Sequence, residues 1–460
     1  KQDGHQFCAQ AVSAGAAGVL VDRGKAPRLP DSQACAVIEV ADTHVALGQI
    51  ARAHREAPEI AGKLRVVAVT GSSGKTSTKE LIAAILSTHV GDPAEVLKTE
   101  GNLNNHFGVP LTLLRLRPGQ RYAVIEMGMS ARGEIAYLTS LARPDVGVLT
   151  NVGPAHLETL GTLDNIAAAK GELFSGLMDG ATAVFCGNRD HARVQAQAVL
   201  AGARGGRLRP AVTLRDGDAP APRSSEAPGH FAPVVRYALR TQHRDGLEVE
   251  LRCQSPDGAI QGPATVVAQV PLLGAHQADN AALAAAAALC LDVPPVIIAH
   301  GLSRVVQAKH RGQVVTLSGR NVLDDCYNAN PASTAAALRT LATLRGAGRA
   351  IAILGDMLEL GADEAALHAG VGQVAADCSL SLLITVGQRA RHIAEAAAAR
   401  GLATQHVESP QAAAHVAAQA ASAGDWILIK GSRGMALEQV LDHLRALLST
   451  KAPTVPTATS

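Results

Sequence analysis

A lysine that directly follows a Gly/Ser-rich turn is placed to hold phosphate, and the stretch Val69 to Lys79, VTGSSGKTSTK, has one at Lys75. Before it, the apolar run Arg65-Val66-Val67-Ala68-Val69 reads as a buried strand; after it, a helical pattern begins at Ser77-Thr78-Lys79-Glu80-Leu81-Ile82. Strand, turn and helix N-terminus in that order make a phosphate cradle, because successive backbone N–H groups and the helix dipole favour an anion. Lys75 can reach a terminal phosphate, and the hydroxyl of Thr76 can ligand Mg²⁺. One feature departs from the usual loop: the position five residues before the glycine of the Gly-Lys pair holds Val69, not glycine. An ordinary Gly/Ser turn is the competing reading, but the strand before and the helix after are the context the phosphate motif requires.

Other reactive groups fall at the ends of apolar runs. Glu126 follows Tyr122–Ile125, Asn151 and His156 follow the run ending at Leu149-Thr150, and Asn102, Asn104 and Asn105 follow Ala94–Leu97. In a doubly wound sheet, ligands sit beyond the carboxyl ends of the strands, so all of these share an edge with the phosphate turn. A carboxylate there can ligand the Mg²⁺ that bridges nucleotide phosphates. A solvated strand end for Glu126 and a simple loop histidine for His156 are the plainer alternatives. Lys170 lies in Leu163–Phe174, LDNIAAAKGELF, whose Ala-rich pattern makes a packed helix. A lysine on such a helix ordinarily snorkels to water.

A third group comes later. Gly274-Ala275-His276-Gln277-Ala278-Asp279-Asn280 opens an Ala-rich helix, followed by His310-Arg311-Gly312 and by Asp324-Asp325-Cys326-Tyr327-Asn328-Ala329-Asn330-Pro331. Leu354–Gly361 and Lys430–Gly434 end two more apolar runs. Three polar strand ends on one sheet read as a second face that closes over the first; ordinary solvated loops are the alternative.

The elements that must carry these groups read as α/β throughout. At 460 residues the chain has room for about three domains. Hydrophobic residues make up 47% and aromatics only 2%, so the cores must be built from Ala, Val, Leu and Ile. Residues 1–58 form a small α/β unit, with strands at Gly18–Val21 and Ala36–Val40, a helix over Ala9–Ala17, and a second helix from Asp42 or Thr43 to Ala57 that Pro58 ends. Residues 62–308 alternate strand and helix, which predicts a central doubly wound, mostly parallel sheet; 202–230 reads as loop and 231–271 as antiparallel strands. Residues 309–448 are a third, Rossmann-like unit with strands at Val314–Leu317, Val322–Asp325, Ala350–Leu354, Leu382–Val386 and Trp426–Ile429, and 449–460 has the composition of a disordered tail. The opening Gly4-His5-Gln6-Phe7 reads as the interior of a domain whose start lies earlier.

Lys+Arg minus Asp+Glu is 42 − 40 = +2, which gives no electrostatic footprint for nucleic acid. No run of 18 apolar residues spans a membrane, and no signal pattern opens the chain. The seven cysteines, the nearest pair 27 residues apart, form neither a disulfide framework nor a zinc spacing and fit a reducing compartment, so a cytoplasmic protein is expected.

With these residues in place the chain resembles the Mur ligases, the ATP-dependent amide-forming enzymes of peptidoglycan synthesis. The resemblance runs from Asp3-Gly4-His5 to about Glu438 and rests on Thr70–Thr76, Glu126-Met127-Gly128-Met129, Asn151-Val152-Gly153-Pro154-Ala155-His156 and Ala169-Lys170-Gly171-Glu172. The shortened loop is the family's form, which accounts for Val69. Asp324–Pro331 and Leu354–Gly361 are similar to the branch that adds D-Ala-D-Ala to UDP-N-acetylmuramoyl-tripeptide through an acyl phosphate.

The resemblance implies roles residue by residue. Gly71, Ser72, Ser73, Gly74, Lys75, Thr76 and Ser77 would bind the ATP phosphates. Thr76, Glu126, His156 and Lys170 would hold two Mg²⁺ ions, Lys170 as a carbamate formed with CO₂. His276 and Asn280 would lie near the adenine, and Arg311 and Asp325 would contact the nucleotide from the third domain. Asn328 and Asn330 would line the dipeptide pocket. The family's first domain begins some tens of residues earlier and helps bind the UDP-sugar. A monomer is expected. Two rivals remain at this point: another ATP-dependent ligase of the superfamily, such as a folylpolyglutamate synthetase or the diaminopimelate- or lysine-adding Mur enzyme, and a nucleotide-driven switch without amide chemistry.

Overall fold

Short apolar runs build three sheets in the computed structural model, which describes residues 3–26, 35–187, 208–217, 234–254 and 262–449. The first sheet is a parallel pair, β1 (Gly18–Asp22) and β2 (Ala36–Val40). The helix Thr43–Glu56 follows it. Asp42 caps this helix by accepting the backbone N–H groups of His44 and Val45. The helix leans on the central unit, where Arg55 donates to the carbonyls of Ala142 and Arg143. Pro58 does more than end it: Pro58 is the first residue of a further single turn, Pro58–Ala61, where its missing N–H costs nothing. The helix expected over Ala9–Ala17 is shorter, Cys8–Ser13, with Gly15 just beyond it at φ +96°.

The central sheet has nine strands: β3 (Arg65–Thr70), β4 (Val96–Lys98), β5 (Tyr122–Glu126), β6 (Val146–Leu149), β7 (Thr182–Cys186), β8 (Arg209–Arg215), β9 (Val234–His243), β10 (Gly246–Gln254) and β11 (Thr265–Val270). Their order is β11-β10-β9-β8-β7-β6-β3-β5-β4. Pairings from β4 to β9 are parallel, and β9, β10 and β11 are antiparallel. Both faces of the parallel part are covered, which is why its strands read as unbroken apolar runs; Val66, Val67, Ala68 and Val69 are all fully buried. β3 lies inside the sheet, between β5 and β6, so its carboxyl end opens between two other strand ends.

The span 202–230 is corrected where it is described: Arg209–Arg215 is not loop but β8, paired in parallel with β7. Residues 202–207 and 218–230 of that expected loop and the expected tail beyond Ser449 lie outside the described residues. β4 starts two residues later than expected, because Pro93–Glu95 take a tight turn capped by Asp92.

The third sheet contains β12 (Gln313–Leu317), β13 (Arg320–Asp324), β14 (Ala350–Gly355), β15 (Leu382–Val386), β16 (Thr404–Val407) and β17 (Trp426–Lys430). Their order is β12-β13-β17-β14-β15-β16, parallel except for the β12–β13 hairpin. The carboxyl ends of β13, β17 and β14 are therefore neighbours. β16, Thr-Gln-His-Val, was not foreseen, because a polar edge strand carries no apolar signal. Among the described residues no helix is long and apolar enough to cross a membrane.

Small residues set the spacing under the phosphate turn. The helix Lys75–Val90 packs against His276–Leu289, whose Ala284 to Ala288 are fully buried, and against Pro295–Leu302. At the last contact Gly301 meets the backbone of Ile85 so closely that a Cβ would stand 2.4 Å from the Ile85 Cα. Backbone cannot yield as a side-chain tip can. Gly301→Ala is therefore expected to destabilise the fold by about 1–3 kcal/mol, the usual cost of overpacking. A thermal melt unchanged from the parent would contradict that packing.

Candidate active site

β3 ends at Thr70 and the helix begins at Lys75, so the intervening turn must reverse the chain within a few residues. Gly74 makes this possible at φ +78°, a conformation that side chains disfavour, and a Cβ there would stand 2.6 Å from Asn280 Oδ1. The end of β6 braces the turn. Asn151 Oδ1 accepts the N–H and the hydroxyl of Ser73 at 3.0 and 3.2 Å, and its Nδ2 donates to the Ser73 carbonyl at 3.1 Å. Thr150 donates to the same carbonyl at 2.6 Å, and Ser72 donates to the Gly153 carbonyl at 2.9 Å. Asn151 thus spends its amide on the shape of the cradle.

Lys75 folds back on the turn and donates to the Gly71 carbonyl at 2.7 Å. Burial lowers its pKa below the ordinary lysine value; the Glu126 carboxylate opposes this and the Arg311 guanidinium adds to it. Lys75 is thus within reach of two opposite charges, Glu126 from the end of β5 and Arg311 from the residues before β12. Ser77 faces a small cavity together with Glu80, Gln307 and Arg311.

Glu126, at the end of β5, is 2% exposed. Its Oε1 accepts from Asn104 Nδ2 at 2.8 Å, while its Oε2 is buried with no hydrogen-bond partner. A buried carboxylate oxygen left unpaired is costly unless something else fills its coordination. Thr76 is likewise buried, 5% exposed, at the start of the helix.

Lys170 is 1% exposed, so it does not snorkel. Its ammonium has no hydrogen bond or ion pair among the described residues. Burial, and after it the charge of Lys75, pull its pKa well below that of a free lysine. It is a buried amine within reach of the charge of Lys75.

His156 sits at φ +59°, on a tight turn after β6. Its Nδ1 lies 2.6 Å from Glu359 Oε2, across the gap to the third sheet. This contact holds the Glu359 carboxyl below the usual carboxylate range. The N–H of Glu158 reaches the Glu359 carbonyl at 3.3 Å, and Gly361, at φ +68°, lies against the backbone of Leu157 and Glu158. The loop after β14 is thereby seated on the loop after β6.

The ends of β13 and β17 supply the remaining groups. Arg311 lies over the ring of Tyr327, 3.9 Å from its centre. Asp325 receives Lys430 Nζ at 2.7 Å, and the same ammonium, 3% exposed, donates to the Asn328 carbonyl at 2.9 Å. Asn328 Oδ1 accepts from its neighbour's N–H, Ala329, at 2.9 Å. Asn330 is the N-cap of the helix Pro331–Leu344, in a capping box with Ser333, so its side-chain oxygen is already committed. His310, Asp324 and Cys326 also cluster, but hydrogen bonds close them on one another.

Asn280 is buried against Gly74 and donates to Gln277 Oε1 at 2.8 Å. One turn earlier, His276 lines a cavity of about 200 Å³ with Arg215 and Asp279 on one side and Arg339 and Thr340 on the other.

The structure thus brings Lys75, Glu126, Lys170 and Arg311 together, sets Thr76 and Asn280 on the same turn, and holds His156 at the join. Asp325, Asn328 and Asn330 are grouped on the third sheet. Sequence reasoning missed Lys79, and it placed Glu359 and Lys430 in two polar strand ends without giving either a role. The signal for Lys79 was present: it falls on the buried stripe Thr76, Lys79, Ile82, Ala83, Leu86, where a lysine is out of place. Glu359 and Lys430 act across loops, and no spacing announces that.

Comparison with known proteins places this geometry. Residues 69–204 match the Mur ligase middle domain and residues 310–433 the Mur ligase, glutamate ligase domain. The UDP-N-acetylmuramoyl-tripeptide–D-alanyl-D-alanine ligase of Bacillus subtilis (strain 168) is 36% identical over 454 residues, covering 96% of this chain and 88% of that protein. A crystal structure of MurF from Acinetobacter baumannii superposes with a TM-score of 0.81 at 30% identity, covering 97% of this chain and 88% of that one. The MurF ligase of Thermotoga maritima, solved in complex with ADP, gives a TM-score of 0.75 at 25% identity, covering 98% and 93%. With both domains matched and relatives of this identity and coverage along nearly its whole length, the chain belongs to the Mur ligase family.

Proposed function

We infer that this chain is an ATP-dependent ligase that joins D-Ala-D-Ala to UDP-N-acetylmuramoyl-tripeptide in the synthesis of peptidoglycan precursors. The observation that carries the reading is the pocket itself. Lys75, at a phosphate cradle, lies within reach of the charges of Glu126 and Arg311 and of the buried amine of Lys170, and Glu126 keeps a buried, unpaired Oε2. Such a pocket is completed by a polyphosphate and a divalent cation. The family relationship and the names of the relatives supply the two substrates.

The residues present fit magnesium. Glu126 Oε2 is an oxygen donor without a partner, Thr76 offers a buried hydroxyl next to Lys75 in the chain, and Nδ1 of His156 is given to Glu359, which leaves Nε2 for a ligand. We assign Thr76, Glu126, His156 and Lys170, the last as a carbamate, to two Mg²⁺ ions, which when bound would neutralise charge on the transferred phosphoryl group.

In the reaction the terminal carboxylate of the tripeptide attacks the γ-phosphorus of ATP, forming an acyl phosphate and releasing ADP. The amine of D-Ala-D-Ala then attacks the acyl carbon, the C–O bond to phosphate breaks, and the amine gives up a proton. Lys75 and the N–H groups of the turn hold the phosphates in line, while Arg311 and Asp325 meet the nucleotide from the third sheet. His276 and Asn280 lie towards the adenine. Asn328, and Asn330 through its Nδ2, face the dipeptide, since amides match a peptide bond in both donor and acceptor. The seating of Glu359 and Gly361 on the loop after β6 shuts water from the acyl phosphate. We assign nucleotide binding to residues 62–308 and the ligase part to 309–448, and propose a cytoplasmic monomer, in keeping with seven unpaired cysteines.

The deciding measurement is phosphate release from ATP in the presence of the UDP-tripeptide. It should be rapid with D-Ala-D-Ala and nearly absent with D-Ala, L-Lys, diaminopimelate or L-Glu, since a site built for matched hydrogen bonds discriminates by up to about 10⁴-fold. Comparable turnover with a single amino acid would overturn the dipeptide assignment. Lys75→Ala should lower kcat by about 10²–10³-fold with the fold intact, the usual loss for one strong transition-state contact.

Carbamylation needs a neutral amine. A lysine whose pKa is lowered reaches that form at lower pH than a free one, so the carbamate should build up as pH rises through that lowered value. A ¹³C-bicarbonate label should therefore appear on Lys170 in NMR spectra of the parent and vanish in Lys170→Ala, and acetate should restore part of the lost activity. An unlabelled parent and a variant that acetate does not rescue would exclude the carbamate.

A further inference from the structure

We propose that Lys79 is a positioning residue for the metal-binding carboxylate of Glu126, acting through Thr99. The inference rests on the reading of Glu126 as a magnesium ligand and extends it to residues that touch neither metal nor nucleotide.

Lys79 lies one helical turn beyond Lys75 and is 1% exposed. A buried ammonium is expensive, and packing alone would be served by a methionine of similar length. Its Nζ donates to the Thr99 carbonyl at 2.7 Å and lies 2.8 Å from Glu80 Oε1. Glu80 also pairs with Lys98, so the acid has a second cation and does not by itself require Lys79.

Thr99, fully buried just past the end of β4, is a junction. Its N–H donates to the Val124 carbonyl at 3.0 Å, and its hydroxyl accepts the N–H of Glu126 at 2.9 Å. From Thr99 the chain loops to Asn104, whose Nδ2 holds Glu126 Oε1 at 2.8 Å and whose carbonyl accepts the N–H of Gly128, also at 2.8 Å. Glu126 is thus fixed at its own N–H and at one carboxylate oxygen, and both fixings belong to one loop. Lys79 pins the root of that loop to the helix that begins at Lys75. The separation between Lys75 and the free Oε2 of Glu126 is therefore set twice, by the pairing of β3 with β5 that joins Val69 and Thr70 to Met127, and by a strut from helix to Lys79 to Thr99 to Glu126. Outer groups of this kind commonly change metal affinity by about 10–100-fold.

The test uses the whole chain with Mn²⁺ as the probe and ADP as the nucleotide. Mn²⁺ affinity is read by electron paramagnetic resonance, and ADP affinity without metal by calorimetry. Lys79→Met and Thr99→Val should each weaken Mn²⁺ binding by about 10–100-fold while leaving metal-free ADP binding unchanged. Thr99→Ser, which keeps the hydroxyl, should restore it. Unchanged Mn²⁺ affinity in both disrupting variants, or an equal loss of metal-free ADP binding, would overturn the proposal. If Lys79→Met does not fold, the Thr99 pair decides alone. Glu126→Gln separates the two readings: if it leaves Mn²⁺ binding intact, the metal assignment fails, whereas if it abolishes binding while Lys79→Met and Thr99→Val do not, only the strut fails.

Discussion

Two lysine side chains, a part-buried Lys75 and a fully buried Lys170, lie within reach of each other's charge. Like charges in a poorly solvated place repel strongly, and burial penalises each of them separately. Such an arrangement persists only if the surrounding fold enforces it and something anionic belongs there. Glu126 answers part of the charge. The rest of the site can be understood as the frame that keeps this pocket from relaxing: a glycine turn braced by Asn151 and Thr150, a carboxylate fixed at its backbone and at one oxygen, and a helix whose packing against Gly301 admits no slack.

The third sheet completes the enclosure. Arg311 adds a cation from the far side, stacked on Tyr327 so that its direction is set before any ligand arrives. Lys430 is buried at the junction of Asp325 and Asn328 and gives the end of β13 a fixed shape. The contact of His156 with Glu359 couples the two units through a residue proposed here as a magnesium ligand. Closing the face and preparing the histidine are then the same event, which suits a reaction whose acyl phosphate must meet an amine before it meets water.

A chain with so few aromatic residues cannot fill gaps with large side chains. It relies on close approach: an Ala-rich helix buried along its length, and Gly74 lying against Asn280 where no Cβ would fit. Precision in the site comes from these short distances, since packed backbone transmits position with little give.

The sequence by itself determined the local chemistry. The phosphate turn, the carboxylate at the end of β5, the Asp42 cap and the buried strands of the parallel sheet are each written in neighbouring residues, because a turn, a cap or a strand is specified by residues close in the chain. It also held the family motifs from which a metal-binding role for Lys170 is proposed, a residue whose Ala-rich helix alone favoured a solvated lysine. Where the signal is polar or broken the sequence misleads: β8 reads as loop, β16 carries no apolar run, and Asn330, expected to line a pocket, spends its side-chain oxygen on a helix cap. Only the tertiary structure decided which groups share a pocket. That Lys170 is buried next to Lys75, that Glu126 keeps one oxygen unpaired, that Lys79 reaches Thr99 and that His156 meets Glu359 all depend on segments distant in the chain. Their energies come from desolvation and from charges brought together by packing, and neither exists until the chain has folded.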